Sequence, residues 1–491
     1  MDSDPHKRLL SRRKFMVDAE MGAAGAYFAL SGAGNAPAAA NQRPNIIFIL
    51  TDDQRYDAIG CLGNPPWLKT PNMDRLVKEG LLFKNTFCPM SLCAPSRASF
   101  LTGKYATRTG VRDNEVSFPP ENVTFSRLLH TAGYETAFIG KWHMGRQNEP
   151  QPGFDRWVSF VGQGVYNDPV LNVDGKDIKR PGYITDLLND YALEFLKRKR
   201  EKPFCLYLAH KAVHDPREPA PRHAALYANQ TYPLPPSAKY NMEGKPNCVR
   251  EKSVLSKGQT FPPDPEKWQE NTRRYYRCLG AVDDGIGQIL KTLGEMDQLK
   301  NTVLIFAGDN GYLLGEHGQW DKRFAYEESI RIPFVVYFPG TVKPGTVRDE
   351  MILNIDMAPT LLDLAGAPIP SYMQGQSFKP LLQGKNIKWR EDFLYHYYLE
   401  FDLSKMSPEQ KAGFEKMFKN LDPGPLLTPE NMAVRTKEWK YITYPGIQDI
   451  DELYDLRNDP YEMKNLALDP KSADVLKKMK TRMAQLIEET R

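Results

Sequence analysis

The chemistry of this chain is concentrated where apolar runs stop. Asn45-Ile46-Ile47-Phe48-Ile49-Leu50 ends in Thr51-Asp52-Asp53, and Thr302-Val303-Leu304-Ile305-Phe306 ends in Ala307-Gly308-Asp309-Asn310. Three carboxylates and one amide are hard oxygen donors, suited to Ca²⁺ or Mg²⁺ and not to zinc or copper. Carboxylates gathered in this way repel one another unless a cation neutralises them. Two further runs end in bases. Thr136-Ala137-Phe138-Ile139 leads into Gly140-Lys141-Trp142-His143, and Pro203 to Ala209 leads into His210-Lys211-Ala212-Val213-His214. The segment Cys93-Ala94-Pro95-Ser96-Arg97-Ala98-Ser99-Phe100-Leu101-Thr102-Gly103 adds a thiol, with Arg97 one helical turn further on and able to face the same pocket. Lys322 closes Gly318-Gln319-Trp320-Asp321-Lys322. Such a set offers donors for the oxygens of an anionic ester and an acid for its leaving group.

Those residues must be carried by a common frame. The apolar runs read as buried parallel strands, and ligands of parallel α/β sheets bind outside the carboxyl ends of the strands. Helical periodicity spans 72–79, 124–132, 183–197 and 268–296. Strand–helix alternation of this kind implies an α/β domain with a mainly parallel sheet. A further strand is expected over 333–338. Residues 216–267, rich in Pro, Lys and Asn, read as a long insertion lying on the surface.

Composition narrows the class. In 491 residues, 41% are hydrophobic and 26% charged, which excludes a disordered or collagen-like chain. A net charge of +4 is too small to mark a nucleic-acid binder. The 6 cysteines form no C-x-x-C pair, so neither zinc nor a dense disulfide framework is indicated, and they read as packing thiols. No stretch is long and apolar enough for stable membrane insertion. Residues 1–40 read as an address. Ser11-Arg12-Arg13-Lys14-Phe15-Met16 resembles a bacterial twin-arginine export motif, followed by a weakly apolar stretch and Ala36-Pro37-Ala38-Ala39-Ala40. The expected location is periplasmic or secreted.

The segment from Cys93 to Gly103 fits C-x-P-S-R-x-x-x-L-T-G, and on it the chain resembles the type I, formylglycine-dependent sulfatases. The resemblance runs from Arg43 to about Leu466. It implies an alkaline-phosphatase-like fold: a large mixed, mainly parallel sheet flanked by helices over 43–385, and a small C-terminal antiparallel sheet with a helix over 386–491. Residues 393–398, 432–435, 441–444 and 453–454 are expected to supply the small sheet, and 470–490 a closing helix. The resemblance further implies that a formylglycine-generating maturase converts Cys93 to formylglycine. Asp52, Asp53, Asp309 and Asn310, with residue 93, would hold one divalent metal, Ca²⁺ in preference to Mg²⁺.

Lys141 and His143 fit the family's G-K-x-H segment, His214 its H-x-P segment and Lys322 its G-x-x-x-K segment. In the implied cycle the hydrated aldehyde attacks sulfur with Asp309 as base, and Arg97 and Lys141 face the same pocket. His214 and Lys322 assist the leaving oxygen, and His143 helps expel sulfate. His210 is expected to be structural, and His317 stands open between a site role and a structural one. Within the family the chain is most like N-acetylglucosamine-6-sulfatase-type carbohydrate sulfatases, so a sulfated saccharide is the expected substrate. His396, Tyr398 and Glu400 are candidate sugar contacts. The alternative is a phosphodiesterase or phosphonate monoester hydrolase on the same fold.

Overall fold

The structure is a computed structural model that describes residues 43–240, 242–250, 262, 264–399, 407 and 428–491. The export segment expected over 1–40 lies outside them, as does Glu400.

Ten strands form one mixed sheet: β1 (Asn45–Thr51), β2 (Leu81–Phe87), β3 (Glu135–Lys141), β4 (Arg156–Phe160), β5 (Val170–Val173), β6 (Lys176–Lys179), β7 (Phe204–Ala209), β8 (Thr302–Gly308), β11 (Phe334–Tyr337) and β12 (Thr346–Leu353). Two short strands, β9 (Leu313–Leu314) and β10 (Trp320–Asp321), pair separately. The order in the large sheet is β12-β2-β11-β8-β1-β7-β3-β4-β5-β6. Strand β1 lies at the centre, parallel to β7 and β8, and β3 is parallel to β7. Strand β11 runs antiparallel to both its neighbours. The register decides where the chemistry goes. Leu50 pairs with Ala209 and with Ala307, and Gly140 pairs with Ala209. Four carboxyl ends therefore finish in one row, and every polar cluster read from the sequence emerges at one edge.

All seven residues of β1, and all of β7 and β8, are buried. Their continuous β-branched and aromatic character follows from cover on both faces. Ile47 and Ile49 join the core that includes residues of the helices Pro71–Glu79, Ile184–Leu196 and Pro265–Glu295. Ile46, Phe48 and Leu50 join the opposite core, with the helices Cys93–Thr102, Phe125–Thr131 and Met357–Leu364. The Cys93–Thr102 helix is buried along its whole length, so it has no solvent stripe.

The antiparallel sheet β13 (Asp392–Tyr397), β14 (Asn431–Thr436), β15 (Trp439–Thr443) and β16 (Glu452–Asp455) forms as expected. The helix Ala473–Thr490 buries Met479, Met483 and Leu486 against Leu394, Val434 and Leu453. That spacing is one face of a helix.

Two expectations need correction. The described part of 216–267 is not a surface insertion throughout. Tyr232, Ala238, Met242, Lys245 and Val249 are buried, and Lys245 bonds Glu452 and Tyr326 at 3.0 Å each. Pro and Asn set the turns of this segment, and its few apolar residues and one lysine anchor it inside. The cysteines are also not uniformly packing thiols. Cys88, Cys93, Cys205 and Cys278 are buried, but Cys61 is exposed on a short helical turn, and all are free.

Candidate active site

Cys93 opens a helix, fully buried, and its Sγ lies 3.3 Å from Asp52 Oδ1 and 2.9 Å from Lys322 Nζ. Arg97 follows one turn later. Its guanidinium meets Asp309 Oδ2 at 2.8 and 3.0 Å and the Lys141 carbonyl at 2.6 Å. Lys141 Nζ donates to Asp52 and to Gln163, and Lys322 Nζ donates to Asp53. Asp53 and His143 both hold left-handed backbone conformations, with φ of 59° and 52°. Such strain persists only where the surroundings enforce it. At Gly140 the enforcement is visible: φ is +126°, and a Cβ there would lie 1.8 Å from the Ala209 carbonyl oxygen. Only glycine lets β3 lie this close to β7 and still deliver Lys141 and His143.

Carboxylate oxygens of Asp52, Asp53 and Asp309 lie within 4.8 Å of one another. Asn310 Nδ2 donates to Asp53 Oδ1 at 2.7 Å, and among the described residues the buried Asn310 Oδ1 has no hydrogen-bond partner. An all-oxygen set with an orphaned amide oxygen fits a hard divalent cation. Sγ of Cys93 also groups with Asp52 and His214.

The charges sort themselves by partner. Burial opposes ionisation of Asp52, yet Lys141 first, then His214, Arg97 and Lys322, hold its pKa well below the usual carboxylate range. Burial likewise opposes ionisation of Asp53, which Lys322 outweighs. Burial and then Asp52 push Asp309 up to about 6 against the pull of Arg97. Burial, then Lys141, push both His143 and His214 down, so both imidazoles are neutral. Burial, then Asp52, push the Cys93 thiol up. The free thiol is therefore un-ionised at neutral pH and a weak nucleophile as it stands. His214 is the part that reaches solvent, with its side chain 18% exposed.

The structure brings Asp52, Asp53, Cys93, Arg97, Lys141, His143, His214, Asp309, Asn310 and Lys322 to one sheet edge. It sends His317 elsewhere. That ring stacks on Tyr326 at 4.1 Å and groups with Glu328 and Glu462. His210 is buried in the core-facing start of its loop, its N–H bonded to the Leu50 carbonyl. The rings of His396 and Tyr398 pack at a tilt with centres 3.8 Å apart; Glu430 pairs with His396 at 2.7 Å, and Arg112 lies over Tyr398 at 4.9 Å. Asn114, two residues on from Arg112, accepts from the Ala94 N–H at 3.1 Å, which ties this group to the helix that starts at Cys93.

Several contributors carried no local signal. Gln163 caps Lys141, and the Tyr275 hydroxyl donates to the Asp53 carbonyl at 2.7 Å. Ser96 donates to the Asp309 carbonyl and accepts from Asn354 at 2.9 Å. Tyr395 and Asn431 of the small sheet donate to the Arg323 carbonyl at 2.7 and 3.1 Å, fixing the residue beside Lys322.

Residues 44–367 match the sulfatase family, and the chain belongs to that family of sulfuric ester hydrolases. Residues 315–422 and 418–489 match the C-terminal region of N-sulphoglucosamine sulphohydrolase. The chain is 34% identical to an N-acetylglucosamine-6-O-sulfatase of Bacteroides thetaiotaomicron, over 95% of this chain and 89% of that protein. It is 30% identical to the N-acetylglucosamine-6-sulfatase of Homo sapiens, over 91% of this chain and 85% of that protein. Among solved structures, one in complex with its substrate D-glucosamine-2-N,6-O-disulfate superposes with a TM-score of 0.80 at 32% identity, covering 91% of this chain and 98% of the other. The phosphonate monoester hydrolase of Agrobacterium radiobacter shares the fold, with a TM-score of 0.73 at 21% identity over 91% of this chain and 96% of the other. Among the described residues no helix is long and apolar enough to cross a membrane.

Proposed function

We propose that this sulfatase removes 6-O-sulfate from N-substituted glucosamine units of glycosaminoglycan or related saccharides, with residue 93 acting as formylglycine. One observation carries the reading: the thiol of Cys93 sits between Asp52 and Lys322, within a pocket edge of three carboxylates and five cationic or imidazole side chains. Likeness to N-acetylglucosamine-6-sulfatases over nearly the whole chain supports the sugar.

The buried thiol is protonated and offers no second leaving step. Hydrated, an aldehyde at residue 93 offers one hydroxyl to attack sulfur and another to release sulfate. Asp52, Asp53, Asp309 and Asn310 would hold a divalent cation, Ca²⁺ in this reading, which would supply positive charge against the ester oxygens. Arg97 and Lys141 hold the carboxylates in place and add charge beside residue 93. Asp309 takes the proton of the attacking hydroxyl. His214 and Lys322 serve the leaving oxygen, and His143 the hydroxyl that expels sulfate. Arg112, His396 and Tyr398 present an aromatic and cationic rim for the sugar. The chain further requires a maturase that acts on Cys93. The twin-arginine segment directs export to the periplasm or beyond.

Desulfation of defined 6-O-, 3-O- and N-sulfated glucosamines tests substrate and reaction together. Peptide mass spectrometry across residue 93, after co-expression with a maturase, should show loss of the thiol; intact thiol in an active preparation overturns the mechanism. The shared fold of phosphonate monoester hydrolases motivates a second assay, sulfate against phosphonate esters of one leaving alcohol. Faster phosphonate turnover would reverse the assignment.

A further inference from the structure

Lys211 takes no part in the chemistry above, yet it is 1% exposed and beside the site. Among the described residues its ammonium pairs with no carboxylate. It donates instead to the Asp215 carbonyl at 3.0 Å and lies 4.8 Å from the centre of the Tyr166 ring. Burial, then Lys141, push its pKa down to about 8, so it stays charged at neutral pH. Burying an ammonium on a single backbone acceptor is costly, and the fold must be using it.

The same Asp215 carbonyl lies 2.9 Å from His214 Nδ1. A carbonyl only accepts, so Nδ1 carries the hydrogen and Nε2 is the nitrogen left for the site, 3.8 Å from Asp53 Oδ2. Tyr166 completes the arrangement, its hydroxyl donating to the His214 carbonyl at 2.7 Å. The loop is also stitched to β1. The Val213 N–H donates to the Asp52 carbonyl at 2.7 Å, and the Asp52 N–H to the Ala212 carbonyl at 2.8 Å. Tyr166 and Lys211 thus grip the successive carbonyls of His214 and Asp215, and each touches the other.

We infer that Lys211 is a positioning residue that, with Tyr166, keeps the hydrogen of His214 on Nδ1 and fixes the direction of the ring, so that Nε2, having taken up a proton from solvent, delivers it to the leaving oxygen. This rests on the role given to His214 above. An acid matters most when the leaving group is poor. The test therefore compares glucosamine 6-sulfate, which leaves as an alkoxide, with 4-nitrophenyl sulfate, which leaves without help. Lys211→Met should lower kcat on the sugar ester by roughly 10²-fold, the scale of general acid catalysis, with KM little changed and the aryl ester affected less than about threefold. Lys211→Arg should recover most of the loss. Tyr166→Phe, which keeps the ring, should show a weaker loss of the same selectivity, and it serves if Lys211→Met does not fold. In a His214→Ala background Lys211→Met should cost nothing more.

Equal losses on both esters, or a full further loss without His214, overturn the inference while leaving the sulfatase reading intact. If the wild type cleaves only the aryl ester, the sugar assignment fails instead, and ¹⁵N NMR of His214 decides. A single Nδ1–H tautomer in the wild type that becomes mixed in Lys211→Met upholds the inference, and an unchanged tautomer overturns it.

Discussion

Two buried clusters of charge draw on the same stretch of chain, residues 309–331, and are built on opposite plans. The first surrounds Cys93. Its three carboxylates face Arg97, Lys141 and Lys322, yet among the described residues Asn310 Oδ1 and His143 Nδ1 have no hydrogen-bond partner, and His214 opens to solvent. The second surrounds Lys440. Its ammonium meets Glu462 at 2.6 Å and Glu327 at 3.0 Å, and Arg435 meets Glu327 at 3.2 Å. Lys245 meets Glu452 at 3.0 Å, and Glu316 meets Arg55 at 2.7 Å. What charge remains is removed by protonation: burial, then Glu316, push Glu328 up to about 8, and His317 is held neutral by burial and Lys245. The second cluster pairs its carboxylates Glu327, Glu452 and Glu462 with its own ammonium and guanidinium groups. The first keeps groups in reserve for a cation and an anion from outside. The difference separates a scaffold from a site more sharply than burial or charge count does.

Exchanging the roles by mutation tests that separation. Cys93→Ala should lower turnover by more than about 10⁴-fold while the melting temperature barely moves, since nucleophile loss removes the whole covalent route. Turnover retained in that variant would sink the plan of the first cluster. Chelation of divalent ions should come next, with activity lost and the melting temperature lowered, both recovered on adding Ca²⁺. A protein indifferent to chelator would show that the carboxylates hold no metal.

The second cluster should behave in the opposite way. Lys440→Met leaves two carboxylates facing an apolar chain and should cost about 3–5 kcal/mol by urea titration. Activity per folded molecule should stay within about twofold, because neither partner touches residue 93. A large kcat loss at full folding would join the two clusters functionally. The smallest effect expected is one of pH. Glu328 rises from a usual 4.5 to about 8 in the folded chain, chiefly through burial and then Glu316. It therefore takes up a proton on folding. Its contribution is complete below about 4.5 and is lost as pH climbs through 8. Glu328→Gln should flatten the fall in melting temperature across that interval.

Much of the first cluster was legible in the sequence, because its groups follow apolar runs that can only be central strands. Register then puts Asp52, Lys141, His214 and Asp309 at one edge without further information. The second cluster was not. Glu462, Lys440 and Lys245 come from a strand-to-helix turn, a strand and an insertion, and only the tertiary fold reveals that they meet. The same holds for Gln163 and Tyr275, which bear on site residues from far along the chain. Strand β12 was missed because its outer half, TVRDE, is mostly polar and exposes its one apolar residue, Val347, before turning apolar and buried. His317 lay in a motif that pointed toward the site, and its backbone, at φ 54°, turns the ring onto Tyr326 instead.

The grip of Tyr395 and Asn431 on the Arg323 carbonyl has a consequence for synthesis. Every side chain proposed for catalysis has been added to the chain by residue 322. The two that steady the segment carrying Lys322 come roughly seventy and over a hundred residues later. A nascent chain stopped in between holds the complete catalytic vocabulary without the grammar that orders it. A nonsense codon after residue 400 should therefore yield no partly active enzyme, only an unfinished one.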